Sequence, residues 1–174
     1  MRLLWLSLAL ALCTSCASNV FMLVEQGKVA DLDRLMYDRA GEAKRRDDNG
    51  RTPLHLAAYH RQTVCAKLLL KAGADPNAED NAGMTPVQIA ITEGDAPTTA
   101  VLLDAGVPVN APLRQQLTLM DYAQARANND DVIKVLRDRG GKTNAELDRD
   151  LLDQKQPAAK PDEKPAAPAA EPTL

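Results

Sequence analysis

The chain has 174 residues, with 21 Lys and Arg against 24 Asp and Glu, a formal charge of −3 at neutral pH. That balance argues against nucleic acid as a partner, because phosphate binding needs a basic stripe. With one tryptophan and one phenylalanine in the whole sequence, the core of a single ordinary domain must come from Leu, Val, Ile, Met and Ala.

Met1-Arg2 opens the chain with a positive charge, and Leu3 to Leu12 follows as a leucine-rich apolar run that includes Trp5. The run is shorter than the ~20 apolar residues a spanning helix needs and has the anatomy of a signal-peptide core. Next comes Leu12-Cys13-Thr14-Ser15-Cys16-Ala17-Ser18, which resembles the lipobox of bacterial lipoproteins. In that family the cysteine becomes the first mature residue and carries the lipid. Cys16, preceded by the small Thr14 and Ser15, fits better than Cys13, which follows the large Leu12. Cys13 itself departs from the pattern, since the family prefers leucine or valine there, and ordinary cleavage after Ser15-Cys16-Ala17 is the alternative. The resemblance implies removal of residues 1–15 and a stable membrane anchor at Cys16. With Ala17 rather than aspartate next, it also implies the outer membrane, facing the periplasm; ordinary cleavage would give a soluble periplasmic protein. Loss of Arg2 with that segment moves the formal charge from −3 to −4. Beyond the lipobox only Cys65 remains as a thiol, so no internal disulfide is expected.

Helical periodicity then begins. Val20-Phe21-Met22-Leu23-Val24 predicts a first helix and Val29 to Met36 a second, within a unit of about residues 18–46. From Gly50 the chain repeats itself in rows of 33. Gly50-Arg51-Thr52-Pro53-Leu54-His55-Leu56-Ala57-Ala58 opens one row and Gly83-Met84-Thr85-Pro86-Val87-Gln88-Ile89-Ala90-Ile91 the next. Thr52, Thr85 and Thr118 stand at this interval, as do Ala57, Ala90 and Ala123. Leu68-Leu69-Leu70-Lys71-Ala72-Gly73 answers to Val101-Leu102-Leu103-Asp104-Ala105-Gly106.

The spelling has physical reasons. Thr52 and Thr85 are helix N-caps, followed by Pro53 and Pro86 at the position where no N–H is missed. Small Ala57, Ala90 and Ala123 allow two helices to approach closely. The Leu-rich segments give second helices an apolar face, and Gly73 and Gly106 end them. Asp48-Asn49-Gly50 predicts a tight turn. The fourth row, about 113–143, has Thr118-Leu119-Met120-Asp121 at its opening and Val132-Ile133-Lys134-Val135-Leu136 as its second helix; Gly140 lies 34 past Gly106, which places one added residue near Asn128-Asn129. Thr143-Asn144-Ala145-Glu146 is a capping box starting a helix through about 153, expected to seal the last repeat. From Gln154 onward, prolines punctuate Ala, Lys and Glu, a composition that predicts a disordered tail.

These rows resemble the ankyrin repeat, with its T-P-L-H-x-A-A and L-L-x-x-G-A-D-x-N signatures. The resemblance implies an all-α solenoid of about four helix-turn-helix units with short hairpin loops, covering residues 18–153 as units of about 18–46, 47–79, 80–112 and 113–143 plus a capping helix. It also implies binding of a protein partner on the concave face, through the hairpin tips and first helices. Carried onto this sequence, those positions are Asp48, Asn49, Arg51, Tyr59 and His60 in the second unit, and Asn81, Met84, Thr92 and Glu93 in the third. The fourth unit adds Arg114, Gln115 and Arg126. Tyr59 and Arg51 are the expected hot spots, since Tyr and Arg dominate interface energetics.

No converging set of reactive groups is legible. His55 occupies the T-P-L-H position, where the family uses histidine to bond backbone. His60 follows five residues later, too far round a helix to share a metal with it. Cys65 reads as a buried structural thiol. Asp47-Asp48-Asn49-Gly50 lacks the alternating spacing of a calcium loop. The expectation is a non-catalytic, cofactor-free, monomeric protein-binding module of the bacterial cell envelope. Narrower alternatives are an inhibitor or immunity protein against a secreted toxin and an accessory factor in envelope or oxidative stress. A structural lipoprotein associated with the cell wall is an alternative of another class.

Overall fold

The computed structural model describes residues 19–113, 117–126 and 129–155. The expected signal segment with Cys16, the site residues Arg114 and Gln115, and the Pro-rich tail beyond Lys155 lie outside them. Among the described residues there is no strand, and contacts divide the chain into two units, one up to Asn144 and one from Ala145.

The first unit is built of helix pairs. They are α1 Val20–Glu25 with α2 Val29–Asp38, α3 Pro53–Tyr59 with α4 Thr63–Lys71, α5 Pro86–Thr92 with α6 Ala96–Asp104, and α7 Leu119–Gln124 with α8 Asp130–Asp138. First helices stack on first helices, α1 on α3 on α5 on α7, and second on second, α2 on α4 on α6 on α8. A short 3-10 helix, Ala40–Lys44, follows α2; nothing in the spacing had foreshadowed it. In the second unit the helix expected after Thr143 is present as α9, Asn144–Lys155.

The shared core consists of aliphatic side chains, as the composition required. Val20, Leu32, Leu54, Leu69, Ile91, Leu102, Leu119 and Leu136 are buried, and Ala57, Ala90 and Ala123 have no exposed surface. Each fully buried Leu or Ile contributes roughly 1.5–3 kcal/mol. Because each repeat buries its apolar face only against its neighbours, this stacking stabilises the array as a whole.

The first helices begin alike, on residues 33 apart. Thr52, Thr85 and Thr118 are the N-caps, and the residue three further on reaches back to each. The N–H of Thr52 donates to His55 Nδ1 at 3.0 Å, that of Thr85 to Gln88 Oε1 at 2.8 Å, and that of Thr118 to Asp121 Oδ2 at 3.0 Å. Three chemically different side chains thus serve one capping-box function.

Between units the chain turns tightly. The Asp47 N–H donates to Arg51 O at 2.9 Å and the Gly50 N–H to Asp47 O at 2.9 Å. The Asp47 carboxylate accepts the N–H groups of Asn49 and Arg51 at 2.9 and 2.8 Å. Asp80 repeats the arrangement, accepting from Ala82 and Met84 at 2.9 Å each. The side chain organises the turn from within, as aspartate does in Asx turns.

Candidate protein-binding face

The ends of the first helices carry one group of candidate residues, and the hairpins carry the other. Tyr59 and His60 close α3, Thr92 and Glu93 close α5, and Arg126 follows α7, so these positions recur at the repeat interval. Tyr59 is half exposed and meets His60 edge to face, with ring centroids 5.1 Å apart. Arg126 places its guanidinium 3.8 Å from the Tyr122 ring centroid. It donates from Nη2 to the Tyr122 hydroxyl at 2.7 Å and from Nη1 to the Tyr122 carbonyl at 3.4 Å. The Tyr122 hydroxyl also lies 3.1 Å from Thr92 Oγ1 and 4.0 Å from the Met84 sulfur. Met84, Thr92 and Arg126 are thereby gathered around one tyrosine.

Sequence reading passed over Tyr122. It stands at the repeat position of Leu56 and Ile89, both core positions, so spacing alone marks it as packing. The available signal was its place four residues before Arg126, which puts the two on one helix face.

The hairpin candidates are tied to one another. The Asn81 N–H donates to Asn49 O at 3.0 Å, and its side-chain amide donates to Asp48 O at 3.2 Å. Consecutive hairpin tips are thus clipped together by the backbone and side-chain amides of Asn81, while the Asp48 side chain stays exposed. Arg51 turns back on its own hairpin. Its Nε and Nη2 both reach Asp47 Oδ2 at 2.8 Å. Burial works to raise the Asp47 pKa, but the hydrogen bonds and charge of Arg51 outweigh it and hold the carboxyl below its ordinary 3.8. Arg46, which spacing did not single out, bridges the same region by donating to Gly50 O and Glu79 O at 2.8 and 2.6 Å.

Two further residues join adjacent repeats. His55 is fully buried. Because the Thr52 N–H can only donate and the Met84 carbonyl can only accept, Nδ1 must be bare and Nε2 protonated. Burial, the largest influence, pushes its pKa below 6.5, which fits the neutral imidazole this geometry demands. Arg61 donates from its guanidinium to the Glu93 carbonyl while holding a left-handed backbone, φ +54°, at the position where the next repeat has Gly94.

The chemistry available here is that of recognition. Cys65 is fully buried, and burial pushes its thiol pKa up, the opposite of a reactive thiolate. Among the described residues, no three His, Cys, Asp or Glu side chains gather to hold a metal ion. A depression lies away from the first-helix ends, between α2 and α4, lined by Ala30, Arg34, Met36, Tyr37, Leu68 and Lys71 among others. Its lining also holds the carboxylates Asp33 and Asp38.

Comparison with known proteins agrees with this architecture. Residues 49–81 match the family model of the ankyrin repeat. Over 61 residues the chain is 36% identical to the palmitoyltransferase akr1 of Aspergillus oryzae (strain ATCC 42149 / RIB 40), a match covering 35% of this chain and 8% of that protein. Ankyrin repeats are in general protein-protein interaction modules without catalytic activity. With that match set on one of several helix pairs that share a 33-residue interval and a common capping box, the chain is an ankyrin-repeat protein.

Proposed function

We propose that the chain is a non-catalytic binding module of the bacterial cell envelope that holds a protein partner on its concave, first-helix face. The observation carrying this reading is the row of first-helix ends. There, aromatic and charged side chains from successive repeats reach solvent, above a backbone locked by cross-repeat hydrogen bonds. A rigid face of this kind loses little entropy on association, and Tyr and Arg are the side chains that most often anchor interfaces. Asp48, Asn49, Arg51, Tyr59, His60, Asn81, Met84, Thr92, Glu93 and Arg126 belong to the proposed footprint; Arg114 and Gln115 join it from the sequence alone.

The envelope location rests on the N-terminal segment. Export, removal of residues 1–15 and lipid attachment at Cys16 would hold the repeat domain at a membrane surface. Metabolic labelling with a palmitate analogue, in wild type and Cys16→Ala, tests the anchor. Cell fractionation tests the compartment.

Binding itself is tested by passing periplasmic extract over the tagged chain. One retained protein, lost with Tyr59→Ala, is the expected result. Retention of nothing, or of a protein indifferent to every first-helix substitution, would remove the reading.

A further inference from the structure

We infer that the first-helix face selects an acidic segment of its partner, with the Arg126 guanidinium as the charged contact. This inference rests on the binding reading above and names the chemistry of the partner.

Arg126 carries a full positive charge, and among the described residues no carboxylate pairs with it. Its contacts are the Tyr122 ring, hydroxyl and carbonyl, which fix its position and leave its charge uncompensated. Only two of a guanidinium's five N–H groups are spent in this way. The side chain is therefore already ordered before a ligand arrives, so less rotamer freedom is lost on binding. Arg51, by contrast, is neutralised by Asp47 at 2.8 Å, and Arg139 by Asp104 at 2.9 Å. A held but unpaired arginine is complementary to a carboxylate, which a guanidinium meets through two parallel hydrogen bonds.

The neighbouring positions extend the selection. Arg61, near the end of the row, spends its donors on a backbone carbonyl rather than an acid, so it too keeps its charge. Tyr59 and His60 supply an aromatic pair. Helices packed ~10 Å apart separate Tyr59 from Arg126 by about 20 Å, the reach of about six extended residues. The expected ligand is thus a short stretch bearing carboxylates, at least one of them on Arg126. Glu93 opposes this. It sits in the row between His60 and Arg126, and a carboxylate there repels an acidic ligand.

The test is to pan a random dodecapeptide library on the immobilised whole chain. Recovered peptides are then measured by fluorescence anisotropy against wild type, Arg126→Ala, Arg126→Lys, Glu93→Gln and Tyr59→Ala, each checked for native circular dichroism and melting. The inference requires recovered peptides rich in Asp and Glu, with affinity about tenfold lower for Arg126→Ala, which corresponds to ~1.4 kcal/mol. Arg126→Lys should restore only part, Glu93→Gln should tighten binding, and added salt should weaken it. Peptides without acidic bias that lose affinity with Tyr59→Ala would overturn this inference while leaving the binding face in place. Peptides indifferent to all four substitutions, or no recovered peptides, would overturn both.

Discussion

The hydroxyls of Thr92 and Tyr122, on first helices of successive repeats, meet at 3.1 Å, and the direction of that hydrogen bond is set by a third group. The Thr92 hydroxyl donates to the Gln88 carbonyl at 2.8 Å, so its proton is committed and Tyr122 must be the donor to Thr92. Tyr122 in turn accepts from Arg126. One directed chain therefore runs from Arg126 through Tyr122 and Thr92 to the backbone of α5. Tyr122→Phe keeps the ring under the guanidinium but removes both hydroxyl bonds. It should lower unfolding stability by about 1 kcal/mol and weaken any ligand held by Arg126. Urea denaturation followed by circular dichroism checks the first effect. An unchanged midpoint would show that the chain of hydroxyls carries no stability.

Acid should destabilise the fold in two separate windows. The folded state holds His55 neutral, with its pKa below 6.5. Between that lowered value and about 6.5 the unfolded chain binds a proton that the folded chain does not. The contribution is therefore complete above pH 6.5 and is lost as pH falls through this window. Asp121 acts lower down. Burial tends to raise its pKa, but the Thr118 and Asn144 N–H groups and the Thr118 hydroxyl outweigh it, so the carboxyl lies below 3.8. Its contribution is present above pH 3.8 and lost as pH falls further. Denaturation midpoints measured from pH 8 to pH 5 should decline in wild type. In His55→Gln, which borrows the capping residue of the next repeat, the decline should flatten.

Much of this was legible because ankyrin spelling encodes local physics. Thr-Pro marked each central first helix, and the leucine runs marked each second. The outer units were harder to read where the encoding is tertiary. The 3-10 helix at Ala40–Lys44 lacks any periodic signature. Tyr122 hid in an apolar column, because its hydroxyl function depends on Thr92 and Arg126, which only folding brings together. Arg51 read as an interface hot spot, although Asp47, four residues earlier, turns to meet it once the hairpin closes.

Arg61 offers a stability test with two opposed terms. A left-handed backbone costs a non-glycine residue roughly 1–2 kcal/mol, while its hydrogen bond to the Glu93 carbonyl contributes roughly 0.5–1.5 kcal/mol. Arg61→Ala keeps the strain and loses the bond, so it should destabilise by about 1 kcal/mol. Arg61→Gly relieves the strain and should be neutral or stabilising. Thermal melts of the pair settle the order. Equal melting temperatures for the two variants would mean that the backbone at this position carries no strain.

Gly50 and Gly106 separate conformational cost from steric cost in the same way. Both have positive φ, +72° and +95°, so alanine is strained at either by roughly 1 kcal/mol. At Gly106 an added Cβ meets nothing within 4 Å. At Gly50 it would strike the Asn81 side-chain oxygen and come within 3.0 Å of the Asn81 backbone nitrogen. That nitrogen and the side-chain amide are the two groups that clip one hairpin to the next. Gly50→Ala should therefore cost about 2 kcal/mol or more, against about 1 kcal/mol for Gly106→Ala. Amide exchange at Asn81 should accelerate in the first variant alone, because only there must the clip open to admit the methyl group.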